Sequence, residues 1–153
     1  MTNKRVVKKT LDLLFGKEIG LKETKPIDTS KKIIIGSYFN GEGKTTGIIV
    51  MDYFCACHTA AALSMMPVDI ADENIKSGEI QDSLRDNLYE VLSIGVFFFS
   101  DGTSPDMRIK EMLFGPSDIP SGVKNVFKNA YTDLHVEMEI PGYGIGSSSM
   151  YFV

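Results

Sequence analysis

Two cysteines in 153 residues leave no disulfide framework. Cys55 and Cys57 stand two apart on a segment that reads as helix, so their side chains leave it in different directions and do not readily hold one metal ion. The run Cys55-x-Cys57-His58 is also one residue short of the spacing that attaches haem. Histidine is as scarce as cysteine, with only His58 and His135 to serve as ligands. The cysteines are therefore expected to be small buried hydrophobes, and His58 a helix-face or core histidine. No cofactor or metal of the chain's own is expected.

Basic residues are also in deficit. Sixteen Lys and Arg against twenty Asp and Glu give a net charge of −4 and a pI near 5.2. Nucleic acid is thus not expected as the main partner, because phosphate binding needs a basic face. The one basic cluster, Lys4, Arg5, Lys8 and Lys9, lies on a short amphipathic segment and reads as a solvated helix face rather than a membrane contact. No apolar run approaches the ~20 residues of a membrane span. The N-terminus lacks the apolar core and small-residue cleavage site of a secretory leader. A cytoplasmic protein without membrane contact is expected.

Two nucleotide-like fragments lack their required context. Gly41-Glu42-Gly43-Lys44-Thr45-Thr46 resembles part of a phosphate loop. Tyr38, however, stands where its first glycine is needed, and a strand rather than a helix follows the lysine. Gly142-x-Gly144-x-Gly146 falls in a hairpin with no helix after it, so it reads as turn chemistry. Met65-Met66 reads as plain core.

The remaining pattern predicts one domain over residues 1–153. A first helix built on Val6, Val7, Leu11, Leu13, Leu14 and Phe15 ends at Gly16 or Gly20. Residues 21–31 read as a connection. Strands Ile33–Phe39 and Thr45–Met51 form a hairpin about Asn40-Gly41-Glu42-Gly43. Tyr53–Met66 is Ala-rich and reads as a helix stopped by Pro67. Residues 67–78 look acidic and loop-like, and a long helix follows over Gly78–Phe99. Asp101–Pro105 is a turn cluster, and Met107–Phe114 a strand. Residues 115–121 form a loop, and Val123–Ala130 a short helix. Leu134, Val136, Met138 and Ile140 alternate with polar residues at strand period, and Ser148–Val153 closes the chain as a last strand. Hairpins with helices between them give α+β, with helices packed on an antiparallel sheet. The apolar alternation of the terminal hairpin leaves an edge to be hidden, and a homodimer that pairs such edges would do so.

The long helix carries the most informative feature. Ile80, Leu84, Leu88, Val91, Leu92, Gly95, Val96 and Phe99 form one apolar stripe at about 100° per residue. Asp86, Glu90 and Ser93 cluster on the opposite side, with Phe97 one turn on. A carboxylate presented with a second polar group one turn away can orient a water molecule, which makes this surface a candidate for chemistry on something brought to it. Polar residues on an outer helix face are ordinary, but Phe97 is apolar on that same face, as contact surfaces often are.

The spacing Asp86-x3-Glu90-x2-Ser93, followed after twenty-two residues by Pro116, resembles the [DS]-x3-E-x2-N-x22-P pattern of the CheC/CheX/FliY chemotaxis phosphatases. The likeness runs from about Gly47 to the C-terminus. It is closest to CheX, since only one copy of the Glu-containing element is present. One position departs: Ser93 stands where the family has Asn.

The resemblance implies a CheX/CheC-like fold, with long helices on one face of an antiparallel sheet that often continues across a dimer. It implies as partner the receiver domain of a CheY-like response regulator, which carries the aspartyl phosphate and its Mg²⁺. In the family the Asn places the attacking water in line with phosphorus and the Glu pairs with a cationic group on the partner. This catalysis by orientation needs no covalent intermediate. Carried over, Glu90 faces the partner, Asp86 and Phe97 add contacts, and Pro116 shapes the neighbouring loop. Ser93 hydrogen-bonds water from a side chain two heavy atoms shorter than Asn. Three readings stay open: an active phospho-aspartyl phosphatase using Ser93 and Glu90, a domain that binds a receiver with weak or absent hydrolysis, and a structural module of a flagellar-switch-like assembly. The missing Asn favours the second.

Overall fold

The computed structural model describes residues 3–99, 106–115 and 118–153. The chain opens with α1 (Lys4–Phe15). Asn3 caps it by accepting the Val6 N–H at 3.0 Å, and Gly16 ends it in the left-handed region at φ 65°. A short strand β1 (Gly20–Glu23) follows, then the hairpin β2 (Ile33–Asn40) and β3 (Thr45–Asp52). Asp52 caps α2 (Tyr53–Leu63), accepting the Cys55 N–H at 2.7 Å. Next come α3 (Val68–Ser77) and α4 (Asp82–Ile94), the latter continuing as a 3-10 turn over Gly95–Phe99. The chain finishes with β4 (Met107–Phe114), α5 (Ser121–Asn129), β5 (Thr132–Ile140) and β6 (Gly144–Phe152).

Six strands form one antiparallel sheet in the order β1-β5-β6-β3-β2-β4. On one face lie α1, α2 and α4, which bury Val7, Leu11, Leu84, Leu88, Val91 and Leu92 against Ile34, Tyr38, Ile49 and Met51. The α2 helix is apolar all round and buried from Cys55 to Ala62, so it forms the centre of this layer. Gly146 of β6 makes that position possible: a Cβ there would stand 2.2 Å from the Cys55 nitrogen. Cys55, Cys57 and His58 are all buried, as expected of core residues. On the opposite face the short α5 adds a second, smaller core, Val123 and Val126 against Ile33, Ile35, Ile48 and Val50.

Several boundaries differ from the sequence reading. Within residues 67–78, Val68–Ser77 form α3 rather than a loop. Its acidic residues conceal Ile70, Ala71, Asn74 and Ile75, which face α2 and the core. Gly78, at φ 75°, ends that helix, so the following one starts at Asp82 and not at Gly78. The 21–31 connection contains β1, whose residues are exposed or half-buried and carry no alternation; the free backbone of β5 makes it a strand. Met65 is not core: it is 85% exposed at φ 54° in the chain reversal after α2.

The terminal hairpin β5–β6 lies inside the sheet, with β1 on one side and β3 on the other. It has no open edge, and the stated reason for a homodimer falls away. Among the described residues no helix is long and apolar enough to cross a membrane.

Candidate functional site

The outer face of α4 holds the residues singled out above. Leu84, Leu88, Val91 and Leu92 are buried, which turns the opposite side of the helix to solvent. Asp86 and Glu90 are exposed, Ser93 is half-buried, and Phe97, on the 3-10 turn, is 46% exposed. Four of the five predicted site residues therefore share one surface. Pro116 lies outside the described residues.

The base of this surface is held from beneath. The Tyr38 phenol, wholly buried on β2, donates to the Leu92 carbonyl at 2.5 Å. The same carbonyl accepts the Gly95 N–H, at the point where the helix tightens. Gly95 lets the turn lie on the sheet, because a Cβ there would come within 2.8 Å of Ile49 and of the Tyr38 oxygen. Asn87 ties the other side to α2, donating to the Ala60 carbonyl at 2.9 Å and the Ser64 hydroxyl at 2.8 Å.

Two features were not anticipated. Tyr89 is 47% exposed and belongs to the site. It stands three residues after Asp86 and four before Ser93, so the helical wheel already contained the signal. Ser93 does not present its proton outward: its Oγ donates to the Tyr89 carbonyl at 2.7 Å. Only its lone pairs remain to meet a water or a ligand.

Charge on this face is one-sided. Asp82, Asp86 and Glu90 recur every four residues, and among the described residues none of them is in an ion pair. Arg85, the lone cation of α4, is exposed but turned toward Ile80 and Phe114. Its Nε donates to the Ile80 carbonyl at 2.8 Å and its guanidinium lies 4.1 Å from the centre of the Phe114 ring. Like charges at this spacing cost a helix roughly 0.2–0.5 kcal/mol per pair. The face is acidic, flanked by two exposed aromatic rings, and suited to meeting a cationic surface.

A second constellation, Asp133, His135 and Ser149, has the composition of a nucleophilic triad but not its accessibility. His135 Nε2 is 2.8 Å from Asp133 and Nδ1 2.8 Å from Ser149 Oγ. Ser149 is fully buried, however, and already accepts the Ile27 N–H at 3.1 Å. This chain of bonds pins the segment between β1 and β2 to the sheet. Among the described residues no group of three or more His, Cys, Asp or Glu is placed to hold a metal ion.

No family model matches the sequence, and no curated protein matches it. Solved structures do. The FliM middle domain from Vibrio alginolyticus aligns over 97% of this chain and 86% of its own, with 12% identity and a TM-score of 0.60. FliM from the FliM–SpeE complex of H. pylori aligns over 97% and 80%, with 12% identity and a TM-score of 0.57. The fold is that of the FliM middle domain. A looser likeness is to CheX in its complex with CheY, BeF3 and Mg²⁺ from Borrelia burgdorferi, at 16% identity over 95% and 92% of the two chains and a TM-score of 0.47. The α+β architecture expected from the sequence is thus found. At 12% identity the FliM likeness speaks for the fold, and the chemistry rests on this chain's own residues.

Proposed function

We propose that this chain docks the receiver domain of a response regulator through the outer face of α4, with little or no hydrolysis of the aspartyl phosphate. The observation that carries this reading is the state of Ser93. Its proton is bound to the Tyr89 carbonyl, while Glu90 one turn away is exposed and unpaired among the described residues. Glu90 and Asp86 supply charge for a cationic partner, and Tyr89 and Phe97 supply apolar contact on either side. Hydrolysis asks more: an attacking water held in line with phosphorus, where a displacement of about 1 Å can cost ~10²-fold. A half-buried hydroxyl already donating within its own helix does not reach outward as a carboxamide does. Any Mg²⁺ would sit with the phosphate on the partner. On this reading the protein works in two-component or chemotaxis signalling, in the cytoplasm where receiver domains reside.

One observation favours the structural-module reading alongside this one: the fold likeness is stronger to FliM than to CheX. One FliM of this fold was solved in complex with a second protein, SpeE, which supports protein docking in either case. The active-phosphatase reading, with Ser93 positioning water beside Glu90, is the third. Capture of receiver domains with and without a phosphate mimic, together with loss of labelled phosphate, separates the three. Binding without accelerated loss supports the proposal, accelerated loss supports the phosphatase, and neither supports the module.

A further inference from the structure

Lys32 and Arg85 bring their charges to one short link, the turn between α3 and α4. Lys32 precedes β2, and its Nζ lies 5.8 Å from the centre of the Tyr53 ring. A Cβ at Gly78, which ends α3, would fall on that ammonium. Arg85 reaches the same link two residues on, where its Nε meets the Ile80 carbonyl, and its guanidinium rests on Phe114. Tyr53, the first residue of α2, meets both cations: Lys32 lies over its ring, and the charge of Arg85 favours ionisation of its phenol against the burial that raises the pKa. The Tyr53 Oη faces the end of β4, where a Cβ at Gly115 would stand 3.8 Å away. Lys32 and Arg85 are exposed, and among the described residues neither is in an ion pair, although Glu79 and Asp82 lie close to Arg85 in the chain. No hydrogen bond among the described residues occupies the phenol. An acidic chain of net charge −4 thus keeps two neighbouring cations without a carboxylate.

We propose that Lys32, Tyr53 and Arg85 bind the phosphate group of a phosphate monoester. Two full positive charges match its dianion, whereas a single carboxylate would leave one of them uncompensated. A dianion between the cations also replaces their mutual repulsion with attraction. The donors come from three elements: the Lys32 ammonium, the Tyr53 hydroxyl, and the Nη groups that Arg85 keeps once its Nε is bound to Ile80. The rings of Tyr53 and Phe114 hold the cations in place beforehand, which lowers the ordering cost of binding. The chemistry is the same whether the phosphate is borne by a small molecule or by a phosphorylated side chain of a partner. The cluster shares no residue with Asp86, Glu90, Ser93 and Phe97, so it does not rest on the receiver reading.

Titration of the full chain with inorganic phosphate at low ionic strength tests this, followed by the NMR amide signals of Gly78 and Gly115. Saturation is expected with a Kd on the order of 1 mM, and acetate at matched ionic strength should bind at least about tenfold more weakly. Lys32→Gln and Arg85→Gln should each weaken phosphate binding about tenfold, and Tyr53→Phe, which removes only the hydroxyl, should weaken it less. Arg108→Gln is the control. It removes a cation that also rests on a ring, 5.1 Å from the centre of Phe39 at the far end of β4, and should leave binding unchanged. Lys32, Arg85 and Arg108 are all exposed, so the fold is kept. Phosphoserine alone and phosphoserine within a short peptide separate the two sources: tighter binding of the peptide assigns a partner's side chain, and equal binding assigns a small molecule. Signals that stay fixed at about tenfold the expected Kd, acetate that binds as well as phosphate, or a loss in Arg108→Gln equal to that in Arg85→Gln overturns the proposal. Receiver capture by Lys32→Gln, whose α4 face is intact, reads the docking function separately.

Discussion

The Tyr38 phenol and the Leu92 carbonyl, 2.5 Å apart, join β2, the strand next to the edge strand β4, to the end of the helix that carries the proposed docking face. Burial raises the phenol's pKa well above its ordinary value, so it remains a donor at any physiological pH. Tyr38→Phe removes the bond without opening the core. Leu92 keeps its bond from Gly95, so no carbonyl is orphaned. A loss of about 1 kcal/mol is expected, read from the denaturant midpoint. Faster hydrogen exchange should appear over residues 93–97, and unchanged exchange there would show that the bond does not steady the face.

Gly146 sits under the first turn of α2. A methyl group there would meet the Cys55 nitrogen at 2.2 Å and its Cα at 2.4 Å, backbone atoms that cannot rotate aside. Gly146→Ala should destabilise by about 3 kcal/mol or more, at the upper end of overpacking costs. Gly43→Ala is the comparison, since nothing lies within 4 Å of the added carbon and the strain is only that of φ 79°. Thermal melts in which the two variants lose similar stability would contradict the close approach.

Met65 holds a left-handed conformation that glycine adopts without strain, and its side chain buries little. The Met66 N–H bonds the Ala61 carbonyl across this turn, a helix end that glycine normally supplies. Met65→Gly should therefore stabilise the fold by about 0.5–1 kcal/mol, and a loss of stability would mean that the methionine makes a contact worth more than its strain.

How far such features were legible in the sequence depends on how local their causes are. The wet face of α4 and the alternation of Leu134, Val136, Met138 and Ile140 follow from periodicity within one element, and both are found. The helix 68–77 was hidden because its acidic residues outweigh the narrow stripe of Ile70, Ala71, Asn74 and Ile75. The place of β5 and β6 inside the sheet could not be read, because β1 and β3 meet them from far along the chain. The second small core under α5 is equally non-local. At the site, the periodicity placed Asp86, Glu90, Ser93 and Phe97 together, but the bond from Ser93 to Tyr89 is a rotamer choice that spacing does not encode.

His58 makes stability depend on pH. It is 4% exposed, its Nδ1 is without a partner among the described residues, and the ring fills the space that a side chain at Gly144 would need. Burial holds its pKa below the ordinary 6.5, against the pull of the Asp72 and Asp52 carboxylates. The unfolded chain therefore takes up the proton first as pH falls. The contribution is complete above 6.5 and declines from there down to the folded value, with a slope of at most about 1.4 kcal/mol per pH unit. Asp52 has the opposite sign further down: burial raises its pKa, so protonation near its range favours the fold. Denaturation midpoints should fall between about pH 6.5 and 5 in the native protein and stay flatter in His58→Gln. Equal slopes in the two proteins would assign the effect elsewhere.

The last prediction concerns Ser93 and Glu90. If the absent carboxamide is what limits hydrolysis, Ser93→Asn should accelerate dephosphorylation of the cognate regulator. The longer side chain no longer closes on the Tyr89 carbonyl as the hydroxyl does at 2.7 Å, and its amide extends over the exposed face. Removing a serine that bonds back within its own helix costs little stability. Glu90→Ala should leave the fold unchanged and weaken receiver binding by about tenfold, the size of a charge pair at a partly desolvated interface. The measurement is loss of labelled phosphate from the phosphorylated regulator, with binding followed in parallel, for native, Ser93→Asn and Glu90→Ala proteins. A native protein that is already fast and is slowed by Ser93→Asn would make the serine lone pairs the water-holding group, and docking without hydrolysis would be the wrong reading. Loss of binding in Ser93→Asn with folding intact would instead mean that the half-buried hydroxyl lies within the contact, where a larger side chain holds the receiver off.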